Sequence, residues 1–90
     1  MKKTFIISYD LADGSSLDYQ ELFDAIKSYG TWAKITKSTW AIVTEAKATE
    51  VRDHIISYLP PDSRLFVIKS GSIAAWRNPI CRSEWLKKHL

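Results

Sequence analysis

Apolar positions along the chain fall into short runs, and their spacing separates strands from helices. The run Thr4-Phe5-Ile6-Ile7-Ser8-Tyr9 is rich in branched and aromatic residues and stops at Asp10-Leu11. Such side chains suit a pleated, largely buried surface, so the run predicts a first strand with an acid at its end. Asp18, with Glu21 three residues on, matches a helix N-cap and its reciprocal acid. Tyr19, Leu22, Phe23, Ile26 and Tyr29 then form one stripe at helical spacing, and Gly30 offers a left-handed cap.

Residues 31–35 and 38–44 read as two strands joined around Thr36 and Lys37. The segment Thr39-Trp40-Ala41-Ile42-Val43 has too few polar positions to be half exposed, which predicts a central strand covered on both faces. A second copy of the chain is the economical cover for the face opposite the helices. Ala48, Val51, Ile55, Tyr58 and Leu59 mark a second amphipathic helix, stopped by Pro60-Pro61. Leu65-Phe66-Val67-Ile68 reads as another buried strand, and Ile73-Ala74-Ala75-Trp76 as a short extra one. Asn78-Pro79 is a good helix start, with Trp85, Leu86 and Leu90 on the apolar side.

The order β-α-β-β-α-β predicts an α+β, ferredoxin-like domain: a four-stranded antiparallel sheet with both helices on one face. The strands entered at Thr4 and Ser38 would be the middle pair. Residues 1–77 would make the domain and residues 78–90 a C-terminal helical tail.

Ninety residues bound this to one domain. A chain of that size buries only about 60–65% of the surface its unfolded form exposes, so oligomerisation is a natural source of further burial. Four Trp and four Tyr exceed what so small a core needs, and amphipathic aromatics favour interfaces. Cys81 is the only cysteine, which rules out an intrachain disulfide and an all-cysteine zinc site within one chain. The basic start Met1-Lys2-Lys3 is followed by an apolar run too short for a signal sequence, and a cytoplasmic setting is expected.

Net charge is +3, unevenly spread. From Arg64 onward Arg64, Lys69, Arg77, Arg82, Lys87 and Lys88 face the single acid Glu84. That excess would attract phosphates, or else be a solvated surface with lysines completing a helix end.

Three roles suit Asp10. It could cap the turn after its strand, hold a divalent cation such as Mg²⁺, or act in catalysis through that metal. Asp13 could join it as a second ligand, since a D-x-x-D loop can fold both acids toward one point, or serve simply as a turn residue. Trp32 and Trp40, on neighbouring strands, could stack unpaired bases, with Lys34, Lys37 and Arg77 meeting phosphates. Core or interface packing is the competing role for both rings. His54 reads as a helix-surface or core residue, and nothing arranges a nucleophile with either histidine.

The blocks Tyr9-Asp10-Leu11, Ser28-Tyr29-Gly30 and Ser38-Thr39-Trp40 resemble, in order and spacing, the small CRISPR-associated protein that partners the adaptation integrase. The similarity is closer to its SinR-like relatives, which share Ser28-Tyr29-Gly30-Thr31-Trp32 and Arg52-Asp53-His54, and it spans residues 4–76. The resemblance implies a homodimeric ferredoxin-like domain whose tail joins the partner's sheet. It implies Asp10 and its mate facing each other across the two-fold, able to hold one metal ion. DNA, RNA and an integrase-like protein are the partners it suggests. The virulence-associated D-type ribonucleases share the architecture, so a metal-dependent, toxin-like endoribonuclease using Asp10 from both subunits is the alternative. A protein-only interaction module is a third. Where the family carries Asn, Lys and Arg after its first strand, this chain has Ala12-Asp13-Gly14-Ser15-Ser16, and Thr31-Trp32 replaces a basic position after Tyr-Gly.

Overall fold

Strand β1 (Lys3–Asp10), helix α1 (Tyr19–Lys27), β2 (Thr31–Thr36), β3 (Thr39–Thr44), helix α2 (Ala48–Ile56) and β4 (Arg64–Lys69) follow one another, and a third helix, α3 (Ser83–His89), comes after them. The structure is a computed structural model that describes residues 1–11, 19–71 and 73–90. The roles expected of Asp13 and Asp18 lie outside the described residues. The four strands form one sheet in the order β2-β3-β1-β4, each neighbouring pair antiparallel. This is the α+β β-α-β-β-α-β arrangement that the periodicity predicts, with β1 and β3 in the middle.

Alternation along the strands decides the layers. Phe5, Ile7 and Tyr9 of β1 and Trp40 and Ile42 of β3 point to one side of the sheet. There they meet Leu22, Ala25 and Ile26 of α1, Val51 and Ile55 of α2, and Leu59. Each large apolar side chain buried here contributes roughly 1.5–3 kcal/mol relative to exposure. Helix α1 ends where the chain turns left-handed at Gly30, whose φ is 91°. The amides of Tyr29 and Gly30 close that turn on the carbonyls of Ile26 and Lys27. Helix α2 begins with the Glu50 carboxylate accepting the Lys47 N–H at 2.9 Å, and Pro60 follows its final turn.

The other side of the sheet carries Thr4, Ile6 and Ser8 of β1, Ala33 of β2, Ala41 of β3, and Phe66 and Ile68 of β4, as the registers place them. Ala33 and Ala41 are buried although α1 and α2 lie on the opposite side. The cover is α3. The Thr4 hydroxyl donates to the His89 carbonyl at 2.7 Å, and the Ile80 amide donates to Ile35 at 2.9 Å. Leu86 is 1% exposed. Strand β3 is therefore covered on both faces, as expected, but by the tail of the same chain, and no second copy is needed for it.

Three expectations are corrected. Asn78-Pro79 does not start the last helix: Asn78 adopts a left-handed φ of 50°, and α3 begins only at Ser83, with Arg82 in extended conformation before it. Asparagine tolerates that conformation, so the pair makes a turn that redirects the tail onto the sheet. Residues 73–76 form no strand; Ile73 is exposed. Strand β4 is not buried on both sides. It is a sheet edge, with Leu65 and Val67 packed toward the helices and Phe66 and Ile68 turned outward, 59% and 48% exposed.

Candidate functional site

Asp10 closes β1, directly opposite Arg64 at the start of β4. Its carboxylate accepts from the Arg64 guanidinium at 3.3 Å, and both side chains are largely exposed. Two residues further into the sheet, Ser8 faces Phe66 on the same side. Together with Ser38, these residues line an open groove of about 550 Å³. The sheet rim thus carries a cation, an anion, two hydroxyls and one exposed aromatic ring. That combination can bind; it holds no nucleophile activated by a neighbouring base.

Beneath the groove the floor is fixed by hydrogen bonds. The Trp40 indole N–H donates to the Tyr9 hydroxyl at 3.3 Å, and that hydroxyl donates to the Lys37 carbonyl at 3.4 Å. The Tyr9 amide bonds the Ser38 carbonyl at 3.1 Å. Burial pushes the Tyr9 phenol above its ordinary value of 10.0, opposed by the Trp40 N–H. Tyr9 therefore stays neutral and locks the β2–β3 turn against the end of β1.

The residues singled out for nucleic acid do not form one surface. Trp40 is 1% exposed beneath Phe23, so of the two roles open to it, packing is the one its position permits. Trp32 is half-buried, tilted against Trp40 at 5.6 Å, with the Lys27 ammonium 4.9 Å above its ring. The Lys34 ammonium rests over Phe23 at 4.5 Å and Trp40 at 5.5 Å. Its charge is held by ring quadrupoles on the helix side of the sheet. Lys37 is exposed in the β2–β3 turn, and Arg77 is exposed in the segment leading to α3. His54 is half-buried and shares a 2.8 Å hydrogen bond through Nδ1 with the Tyr29 hydroxyl, which ties α2 to the turn after α1.

The described residues contain no group of three His, Cys, Asp or Glu side chains able to hold a metal. Within one chain, Asp10 supplies one carboxylate, and a guanidinium already engages it. Those donors do not make a divalent-cation site. Such a site would need Asp13 or the Asp10 of another copy.

Of this groove's members, spacing gave Phe66 and Ser8 no role beyond their strands and placed Arg64 only in the basic excess of the last third. Their signal was the alternation Arg64-Leu65-Phe66-Val67-Ile68-Lys69, which reads as buried or one-sided depending on whether the strand is central or an edge. Among the described residues no helix is long and apolar enough to cross a membrane. No protein-family model matches the chain, and no curated protein matches it.

Proposed function

We propose that the chain is a homodimeric ferredoxin-like domain of the CRISPR-adaptation type, working as a nucleic-acid-associated or scaffolding module. One observation carries this reading. The half of the sheet face that α3 leaves open presents Phe66 and Ile68 on an edge strand, beside Asp10 and Arg64. Apolar side chains exposed together on an edge mark an interaction surface. A second copy meeting the same patch about a two-fold would bury it on both sides and draw the two Asp10 side chains toward the axis. The basic excess after Arg64 supports a polyanionic partner, and an integrase-like enzyme is the protein partner in that setting. The lone Cys81 accords with a reducing, cytoplasmic compartment.

The exposure of the Asp10 carboxylate favours a second reading, a divalent-metal-dependent endoribonuclease built from two such acids. Arg64 would then have to yield its place to the ion. A module that binds only proteins is the reading left if no nucleic acid binds.

Light scattering on the purified chain tests the first reading. Twice the chain mass is expected for the wild type and the single-chain mass for Phe66→Glu/Ile68→Glu. A wild type that runs as a single chain sinks the dimer.

A further inference from the structure

We propose that a second groove, at the opposite end of the sheet from Asp10, is a contact surface for the sugar-phosphate backbone of a nucleic acid; this rests on the nucleic-acid-associated reading above. It lies where β1 begins, β4 ends and the chain enters α2, and it encloses about 490 Å³. Lys3, Lys47 and Lys69 line it together with Phe5, Glu45 and Met1.

The register explains how three lysines far apart in sequence converge. Lys3 and Phe5 share a face of β1, two residues apart. Lys69 sits directly opposite Phe5 on β4, and the Ser70 amide bonds the Thr4 carbonyl at 2.8 Å to hold that pairing to its end. Lys47 is the residue from which α2 departs over the same face. Phe5 is buried and forms the floor.

The charges there are unbalanced. Glu45 lies 3.9 Å from the amino terminus, while Lys3, Lys47 and Lys69 are exposed and make no ion pair among the described residues. This contrasts with Arg64, paired with Asp10, and with Lys34, seated on aromatic rings. Three exposed ammonium groups around one concavity suit a chain of phosphates whose counterions are released on contact. Lysine is a point charge without the planar fork that reads base edges, so the contact would follow the backbone and not the sequence.

The test is fluorescence anisotropy with the full chain and a labelled mixed-sequence oligonucleotide, as single-stranded RNA and as duplex DNA, across a salt series. Lys3→Gln/Lys47→Gln/Lys69→Gln is expected to lose about tenfold or more in affinity and to flatten the log–log salt slope by about 2–3. Lys3→Arg/Lys47→Arg/Lys69→Arg should retain both, which separates charge from folding. The proposal is overturned if the wild type binds with a salt slope that the glutamine variant keeps; the functional reading would then survive without this groove. Loss of slope in Lys34→Gln/Lys37→Gln alone would move the contact to the β2–β3 side and equally overturn it. A wild type that binds neither probe, or only vesicles of anionic phospholipid, removes both the groove and the nucleic-acid reading.

Discussion

Asp10 and Arg64 face each other across the β1–β4 ladder with 3.3 Å between carboxylate and guanidinium, and both side chains stand largely in solvent. A pair this exposed contributes little to folding because water screens it. Its consequence is positional: the guanidinium already engages one oxygen of the Asp10 carboxylate.

Asp10→Asn should change the unfolding free energy by less than about 1 kcal/mol, measured by urea denaturation. If the purified wild type cleaves RNA with Mg²⁺ present, the variant should not. Undiminished cleavage by Asp10→Asn would assign the activity to a contaminant and end the endonuclease reading.

Tyr9→Phe should cost about 1–3 kcal/mol, since it leaves the buried Trp40 N–H without its acceptor. The pH dependence has a definite sign. Burial raises the phenols of both Tyr9 and Tyr29 above 10.0, with Glu50 adding to the effect at Tyr29. A raised folded-state value means the neutral form is favoured by folding. The stability these two groups supply is thus complete below pH 10 and lost as pH rises through their higher folded values. Denaturation curves above pH 10 should show that loss, and Tyr9→Phe should make it shallower.

Gly30→Ala isolates backbone strain. An added Cβ would meet nothing within 4 Å, yet φ is 91°. The expected cost is about 1–2 kcal/mol by thermal or urea unfolding. A neutral result would mean that the turn after α1 relaxes to a negative φ.

Leu86→Ala should loosen α3, because this side chain is the tail's buried anchor. A loss of about 2–4 kcal/mol is expected if the tail unfolds with the domain. Hydrogen exchange offers the sharper readout: amides of β2 and β3 near Ala33 and Ala41 should lose protection. Unchanged protection there would refute the tail as their cover.

The helix-side core was legible because its signals are local. Leu22, Ile26, Val51 and Ile55 repeat at helical spacing, Phe5, Ile7 and Tyr9 alternate, and Gly30 punctuates. The candidate site was legible only at Asp10. Arg64 and Phe66 join it through a register set fifty-odd positions away, and Trp40, for which spacing alone left both stacking on a base and packing open, lies beneath Phe23. Asn78-Pro79 misled for a different reason: asparagine serves equally as a helix cap and as a left-handed turn residue, and the choice depends on where the chain must go next.

Element order, strand alternation and the helix stops were settled by the chain itself, since spacing and turn chemistry act between near neighbours. Which strand became an edge, which lysines came to share a groove, and which half of the sheet the tail would cover were decided only by packing. Those outcomes follow from the pairing order β2-β3-β1-β4 and from the seating of Leu86, relationships between residues that no local pattern connects.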